Sequence, residues 1–319
     1  MLDVSDHVER IEAAVSSSSA AARCRVAASW RRSKTLHHLD PADAGPIRRI
    51  TSQQLQSRLK AESVVIHLAA NELDRLQRLV GVPGSGLFLC DRDGIVLERR
   101  TSQHDAPLHD DIGLVVGADC SETYEGTNGI GTSIAEQTPV RIDQDQHYFA
   151  RNRTFTSIGA PIFGTQGELI GVLALVAVAE GARITSQAMV ASTLVQAAKR
   201  IESHLFRQCF QHHRIVLAQT REVDDLALLA VDQDDFVVGA TRAARQNLGV
   251  SIGTSFSPCP AADILEQATP ARDMHDIRRI AILQALHRAS GNVSAAARQL
   301  GMGRATLYNQ MKRLDIRPS

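Results

Sequence analysis

Hydrophobic residues recur at two different periods along the 319-residue chain. Between residues 50 and 80, leucine, isoleucine and valine return every three or four positions, which predicts an amphipathic helix, and a similar pattern runs from 186 to about 220. Short runs rich in β-branched residues, bounded by turns that contain glycine, lie between these helices. The predicted strands cover residues 86–90, 95–100, 138–143, 154–163 and 168–178. This order predicts an α+β sensory domain over residues 61–205, with an antiparallel sheet flanked by helices.

The segments on either side of this domain have weaker patterns. Residues 1–60 mix short helical stretches with breakers and predict a helical adaptor. Residues 206–252 hold the end of the long helix, followed by a strand, an acidic turn, a second strand and a short helix. Residues 253–271 are rich in proline, glycine and serine and lack a sustained period, which predicts a linker.

The last part of the chain, residues 272–319, predicts three short helices. The second helix begins at its predicted cap, Ser294, and the third runs from about Arg304 to Leu314, with Gly301 between the two. This spacing is typical of a helix-turn-helix. Apolar residues surround the first of the three helices, so that one face covers the other two helices and the excess predicts a dimer partner.

Charge changes the picture only when it is examined locally. The 35 basic and 35 acidic residues of the whole chain cancel, which removes any general argument for a polyanionic or membrane partner. Residues 272–319 carry nine basic and three acidic residues, a net charge of +6. The predicted third helix has a polar, basic side opposite its apolar stripe, which suits the major groove of DNA. The alternative is a solvated basic face without a partner.

A specific string of residues supports the DNA interpretation. GNVSAAARQLGMGRATLYNQMKRLDI resembles the carboxy-terminal helix-turn-helix of the Fis family, and this implies that the partner is a double-stranded DNA operator. By this resemblance, Arg304 and Asn309 contact bases and Thr306 steadies the backbone, while the others meet phosphates. The residues assigned to DNA are Asn292, Ser294, Arg304, Thr306, Asn309, Lys312 and Arg313.

Two further strings, ETYEGTNGIGTSIAEQTPVRI and HYFARNRTFTSIGAPIFGTQGELIGVLAL, resemble the amino-terminal GAF domain of bacterial enhancer-binding activators of the acetoin-regulator type. SWRR at 29–32 and LDP at 39–41 are similar to the leader of that group, and residues 228–250 look like the opening of a PAS domain. The resemblance implies a regulator that responds to an unknown small-molecule effector. We expect it to act as a homodimer, with RNA polymerase as a candidate further partner.

The chain departs from that group at the ATPase. None of its four lysines, Lys34, Lys60, Lys199 and Lys312, follows a glycine, so residues 1–319 contain no GxxxxGK[ST] phosphate loop. The GAFTGA element is also absent. The chain therefore resembles such a regulator without its motor, and ATP-driven activation of the alternative sigma factor is not expected.

The glycine-rich string EGTNGIGTS at 125–133 offers backbone N–H groups ahead of a short helix, as the wall of a small-ligand site would. The alternative is a glycine turn that lets the loop cross the sheet. His147 and Tyr148 are predicted either to point into the same cavity or to form a satisfied surface or core pair. The candidate ligand residues are Thr127, Asn128, Gly129, Gly131, His147 and Tyr148.

Other chemistry finds little support in the sequence. Five cysteines without a CxxC pair fit neither a disulfide framework nor a zinc ribbon. Cys209 and His213 have a spacing that can hold a metal, but two ligands do not make a site. We therefore expect no metal, no cofactor and no catalytic residue. The runner-up function is a GAF-based thiol redox sensor or enzyme that uses Cys90 or Cys120.

The remaining expectation concerns location. No run of residues approaches the length of apolar sequence that a membrane span needs, and the amino terminus lacks the apolar region of a secretory signal. These two observations predict a cytoplasmic protein with no membrane partner.

Overall fold

The helices of the first 80 residues precede the larger of two sheets in the computed structural model. The structure describes residues 4–17, 19–43, 45–80, 83–178, 184–218, 227–265 and 274–316. The chain divides into two units, and the first comprises Met1–Gly164 together with Leu169–Leu205. The second comprises Thr165–Glu168 together with Phe206–Ser319.

Short helices open the first unit. They are α1 (Val4–Ser16), α2 (Ala20–Arg23) and α3 (Arg25–Arg31), which a π-helical turn at Arg32–Leu36 extends. The pattern at 50–80, predicted as one helix, forms two: α4 (Ser52–Ala61) and α5 (Ser63–Val80). A capping box fixes the start of α4, because Thr51 Oγ1 accepts from the Gln54 N–H and Gln54 Oε1 accepts from the Thr51 N–H.

Five antiparallel strands form the sheet of the first unit, in the order β2-β1-β5-β4-β3. They are β1 (Ser85–Asp91), β2 (Val96–Thr101), β3 (Val140–Asp143), β4 (Phe155–Phe163) and β5 (Leu169–Val178). The predicted hairpin at residues 91–94 is confirmed, since Asp91 Oδ1 accepts from the N–H groups of Asp93 and Ile95. Three helices between β2 and β3 complete this unit before the long helix α9. They are α6 (Ala106–Asp111), α7 (Glu122–Glu125) and α8 (Gly129–Glu136), and α9 is Ile184–Cys209.

The two faces of this sheet bury different layers. One face packs against α5 and α9 through aliphatic side chains such as Leu73, Leu173 and Leu194, none of which is exposed. Burial of each such leucine contributes roughly 1.5–3 kcal/mol. The other face buries Phe88 and Val172 beneath residues that precede and include α8. The predicted antiparallel α+β domain is therefore confirmed, and its second face holds the candidate ligand site.

A smaller antiparallel sheet in the second unit has the order β6-β7-β8-β9. Its elements are β6 (Arg214–Leu217), β7 (Leu228–Val231), β8 (Phe236–Ala240), α10 (Arg242–Leu248) and β9 (Cys259–Pro260). The long helix, predicted to reach about residue 220, ends at Cys209 because the β-branched pair in β6 is used to pair with β7. The predicted linker contains β9 and the 3₁₀ turn Ala261–Asp263, and residues 266–271 lie outside the described part.

Three helices follow in the second unit: α11 (Met274–Arg288), α12 (Val293–Gln299) and α13 (Arg304–Arg313). The predicted order of helices is confirmed, with one correction. Asn292, not Ser294, caps α12, because its Oδ1 accepts from the Ala295 N–H at 3.1 Å and Ser294 already lies inside the helix. Within the described residues, no helix is both long and apolar enough to cross a membrane.

Candidate functional site

The glycine-rich loop between α7 and α8 is organised by a single asparagine. Asn128 Oδ1 accepts from the N–H groups of Ile130 and Gly131, both at 2.9 Å, so it caps α8. Its Nδ2 donates to the carbonyl groups of Cys120 and Gly126, also at 2.9 Å. All four of these hydrogen bonds are made with the protein's own backbone, and they fix the loop against the sheet.

The two glycines that begin α8 are needed for close packing. A Cβ at Gly129 would lie 2.8 Å from the Ser157 carbonyl carbon, and one at Gly131 would lie 2.5 Å from the backbone nitrogen of Glu122. The Gly129 N–H donates to Ser157 Oγ at 2.8 Å. The structure therefore uses both glycines to bring α8 onto β4 and α7, and their contact with a ligand stays a prediction.

A cavity of about 40 Å³ lies between this loop and the sheet. Its apolar lining residues include Ile112, Leu114 and Val176, and six lining residues have polar side chains. Those six residues are Cys120, Glu125, Asn128, His147, Asn152 and Ser157. Sequence reasoning identified Asn128 and His147 among them. It missed the other four as ligand-site residues, although Glu125 belongs to the quoted glycine-rich string.

The carboxylate in the cavity wall is already paired. Glu125 accepts from Arg151 Nη2 through both oxygens, at 2.6 and 2.7 Å. The Glu125 side chain is 4% exposed and that of Arg151 18% exposed. Burial raises the pKa of Glu125, and the charge of Arg151 opposes this effect. The Arg151 guanidinium also lies 4.3 Å above the ring centre of Phe149.

A hydrogen-bonded chain fixes the protonation of His147. Its Nδ1 lies 3.0 Å from the Gln144 carbonyl and its Nε2 lies 2.8 Å from Ser157 Oγ. Burial lowers the pKa of His147 to about 4, so the ring is neutral at pH 7. Since a carbonyl only accepts, Nδ1 carries the proton, and Nε2 then accepts from the Ser157 hydroxyl.

Two of the predicted ligand residues point elsewhere. The Tyr148 hydroxyl donates to the Leu39 carbonyl at 2.7 Å, and its ring belongs to a cluster with Ile11 and Trp30. Thr127 is fully buried, with its hydroxyl 2.7 Å from Ser29 Oγ. Neither lines the cavity. The environment of Tyr148 therefore agrees with the expectation of a core role. Thr127 connects the loop to Ser29 of α3.

The amino-terminal helices brace this loop, which sequence reasoning did not foresee. Ser29 Oγ donates to Glu122 Oε1 at 2.5 Å, and Arg32 donates to both Glu122 oxygens at 2.8 and 3.0 Å. Arg32 also pairs with Glu136 at the end of α8. The SWRR string held this signal, because it supplies both Ser29 and Arg32. Residues predicted as an adaptor thus pack as part of the first unit.

The two cysteines that were candidates for a redox site are poorly suited to thiol chemistry. Cys90 and Cys120 are both buried, and burial raises the pKa of each thiol well above its usual value. A thiolate is therefore disfavoured at both positions. Within the described residues, no three His, Cys, Asp or Glu side chains group together as metal ligands, and this includes the surroundings of Cys209 and His213.

The helix-turn-helix has a packed interior and a polar outer face. Leu307, Met311 and Leu314 of the third helix are buried in a cluster with Ala296 and Ala297 of α12. The opposite side of α13 is exposed. The exposed residues there include the predicted DNA contacts Arg304, Thr306, Asn309, Lys312 and Arg313.

Two other features of this module bear on DNA contact. Asn292 is exposed and Ser294 is half-buried, both at the start of α12. Tyr308, which sequence reasoning did not assign, is 40% exposed, and the Arg304 guanidinium lies 5.6 Å from its ring centre. The ring can therefore support the guanidinium at the start of α13. The DNA contacts themselves remain predictions.

Comparison with known proteins agrees with this architecture. Residues 49–205 match the GAF domain model, and residues 275–314 match the model described as bacterial regulatory protein, Fis family. The acetoin catabolism regulatory protein of Cupriavidus necator is 27% identical over 75% of this chain and 36% of its own length. The acetoin dehydrogenase operon transcriptional activator of Bacillus subtilis is 30% identical over 56% of this chain and 29% of its own length.

A solved structure shares the fold. A chain in the crystal structure of the E. coli DhaR(N)–DhaL complex superposes with a TM-score of 0.51 at 16% identity, over 83% of this chain and 86% of that chain. This chain spans about a third of the length of the curated relatives it matches. The chain contains a GAF domain and a Fis-family helix-turn-helix, and the relatives it matches include acetoin-type transcriptional regulators.

Proposed function

We propose that this protein is a transcriptional regulator whose GAF domain senses a small molecule and whose helix-turn-helix binds a double-stranded DNA operator. The observation that carries the proposal is the exposed polar and basic face of α13, opposite a fully packed interior. A helix presented in this way fits the major groove, with its first residues at the base edges. The names of the relatives, which include operon transcriptional activators, support the same function.

Gel-shift titration of the full chain over a range of salt concentrations tests DNA binding. We expect Arg304→Ala/Lys312→Ala/Arg313→Ala to abolish the shift, because these side chains supply the groove-facing charge of α13. The matched control is Arg31→Ala/Lys60→Ala/Arg92→Ala, which removes the same charge from exposed positions in the first unit. Equal losses in the two variants, or no binding by the full chain at low salt, would contradict the proposal.

The chemistry of the cavity supports a small neutral effector. Its volume of about 40 Å³ accommodates only a few water-sized groups. The single carboxylate of its wall is neutralised by Arg151, and His147 is uncharged at pH 7, so a charged ligand would find no unpaired counter-charge among the lining residues. Uncharged polar side chains, among them Ser157 and Asn152, adjoin an apolar wall. Because two relatives are named for acetoin, acetoin is the first compound to test.

Calorimetric titration with acetoin and other small neutral hydroxyketones tests the cavity. Ile112, which is half-buried and lines the cavity, is a suitable place to fill it. We expect Ile112→Phe to abolish binding and Ile112→Val to retain it, because only the first adds volume to the wall. Binding that is unchanged in Ile112→Phe would locate the effector elsewhere.

We also propose that the protein is a homodimer in the cytoplasm. The dimer would place two recognition helices on a two-fold operator, in reach of RNA polymerase. Sedimentation at micromolar concentration measures the dimer. No reaction is assigned to the His147–Ser157 pair, because a pKa of about 4 makes this imidazole a weak general base at neutral pH. No ATP hydrolysis is expected, since residues 1–319 contain no phosphate loop.

A further inference from the structure

The first helix of the helix-turn-helix has a second set of contacts within its own unit. One face of α11 packs into the three-helix core through Ile282, Ala285 and Leu286. Another part of its surface meets the four-stranded sheet, and β9 lies against it. The apolar excess on α11, predicted to indicate a dimer partner, therefore adjoins a surface that the chain's own sheet contacts.

At the amino-terminal half of α11, one arginine connects three elements. Arg279 donates to both carboxylate oxygens of Asp234, at 2.5 and 2.9 Å, and Asp234 belongs to the turn between β7 and β8. Its Nη1 donates to the carbonyl of Leu314, at the end of α13, at 2.8 Å. The two-pronged geometry is the strong form of an arginine–carboxylate contact, and the bond to Asp234 raises the pKa of Arg279.

The carboxy-terminal end of α11 is held in the same way. Arg288 forms an ion pair with Asp263, in the turn that follows β9. His287 Nε2 lies 2.8 Å from the Pro258 carbonyl, and its ring stacks edge-on with Phe236 at 5.5 Å. Polar contacts thus hold α11 at two positions, Arg279 and Arg288, which are about 13.5 Å apart at 1.5 Å per residue.

These contacts change the charge that the helix-turn-helix presents. Arg279 and Arg288 are two of the nine basic residues of the 272–319 segment, and both are paired with carboxylates in turns that adjoin the sheet. Besides Asp234, the charges of Asp315, which follows α13, and of Asp232, which follows β7, also act on Arg279. At physiological salt, charges within about 8 Å still act on one another. The sheet therefore opposes the attraction of this module to phosphates.

We infer that the four-stranded sheet is an acidic clamp that competes with DNA for the helix-turn-helix. This inference rests on the proposed DNA-binding function. In the clamped form, Asp234 and Asp263 form ion pairs with Arg279 and Arg288 of α11. In the released form, these two arginines are available to a polyanion. The partner that competes with the clamp is the phosphate backbone of duplex DNA, irrespective of its sequence.

The clamp itself is tested by releasing it from the acidic side. Asp234→Asn/Asp263→Asn removes both charges without touching α11 to α13. Cys259, half-buried in β9 beside α11, serves as the reporter in a Cys24→Ser/Cys209→Ser background that removes the two exposed thiols. We expect its reaction with a thiol reagent to accelerate in the double variant. An unchanged rate would overturn the clamp. The single variant Asp234→Asn repeats the test, because it leaves in place the Asp263 charge that raises the pKa of Cys259, and it should also accelerate the reaction.

Competition with DNA is tested with the full chain and a mixed-sequence duplex between about 50 and 200 mM salt. Two half-exposed ion pairs of this kind allow an increase in affinity of about fivefold on release. The salt slope should steepen by up to about two phosphate contacts. The control, Asp110→Asn/Asp111→Asn, removes two exposed carboxylates from the first unit.

The outcomes separate the inference from the proposed function. An affinity gain in the clamp variant that exceeds that of the control supports competition, and equal gains overturn it. If no protein binds DNA, including the released variant, the proposed function fails and competition fails with it. If all proteins bind DNA but the two variants are indistinguishable, DNA binding stands and only the clamp inference is overturned.

Discussion

The loop that begins α8 and the outer face of α13 are both rich in polar residues, yet they use them in opposite ways. Around Asn128, hydroxyl, amide and carboxylate groups are buried and satisfy one another, so that each has a fixed position. Along α13, Asn309 and Lys312 are exposed. A run of polar residues in this sequence therefore forms either an internal scaffold or a contact surface. Its side chains form a scaffold where they are buried and a contact surface where they are exposed.

Breaking the buried ion pair of the cavity wall should have the largest effect. Arg151→Met leaves the Glu125 carboxylate buried without its partner, and we expect the free energy of unfolding to fall by about 4 kcal/mol. Urea titration followed by the fluorescence of Trp30, which lies in the same unit, measures this. Arg99→Met, which breaks an exposed pair with Asp110, should cost less than about 1 kcal/mol. Similar losses in the two variants would mean that the buried ion pair contributes no more to stability than the exposed pair does.

Acidification should destabilise the scaffold through His147. Its pKa is about 4 in the folded protein and 6.5 when unfolded, so the unfolded state binds more protons between these values. The contribution is therefore complete above pH 6.5 and is lost as pH falls toward 4, by roughly 3 kcal/mol. His7, whose pKa burial also lowers, acts in the same direction, and Glu125, with a raised pKa, acts in the opposite direction.

The variant His147→Gln isolates this effect, because it removes the titrating ring and keeps a polar side chain. Urea titrations of both proteins at a series of pH values give the difference in unfolding free energy. That difference should shrink steadily from pH 7 to pH 4. A constant difference would mean that His147 titrates normally and is not part of a rigid interior.

Close packing of the loop predicts the next effect. Gly131→Ala places a Cβ against the backbone of Glu122 and should cost about 2 kcal/mol by overpacking. Gly249→Ala is the comparison, because Gly249 has a φ of +65° but no atom within 4 Å of the added Cβ. Its cost should be about 1 kcal/mol, from backbone strain alone. Urea titrations compare the two, and a smaller loss at Gly131 would show that α7 yields.

The smallest effect should appear on the exposed face. Arg304→Ala should reduce discrimination between operator and random DNA by about 1 kcal/mol, because a base contact carries sequence information. Lys312→Ala should weaken both to the same extent and flatten the salt slope. A competition assay distinguishes the two patterns. Identical behaviour would show that the roles along α13 are assigned wrongly, even if the module binds DNA.

Sequence patterns predicted the fold well where structure is local. The hairpin of β1 and β2, the turn at Asp91 and the helical spacing in α13 each depend on neighbours a few residues apart. Errors occurred where tertiary pairing competes with propensity. The helix predicted to continue to 220 gives way to β6 because residues 214–217 gain hydrogen bonds from β7, a partner that no local pattern reveals.

The candidate sites divide along the same line. The exposed face of α13 follows from the helical period once Leu307 and Met311 are recognised as buried. The cavity could not be predicted from a local pattern. Ser157 and His147 come together only once the sheet has formed, and Glu125 and Arg151 are 26 residues apart in the sequence. Tyr148 was adjacent in sequence to a true lining residue, but it faces the opposite side.

The bracing of the loop by Ser29 and Arg32 has a practical consequence for domain transplantation. The GAF match begins at residue 49, which invites a chimeric sensor with its junction there. Such a chimera would leave the buried Glu122 carboxylate without its arginine and its serine. A junction placed ahead of Val4 keeps the whole set of contacts in the fusion protein. Fusions that use this domain should therefore begin at that point.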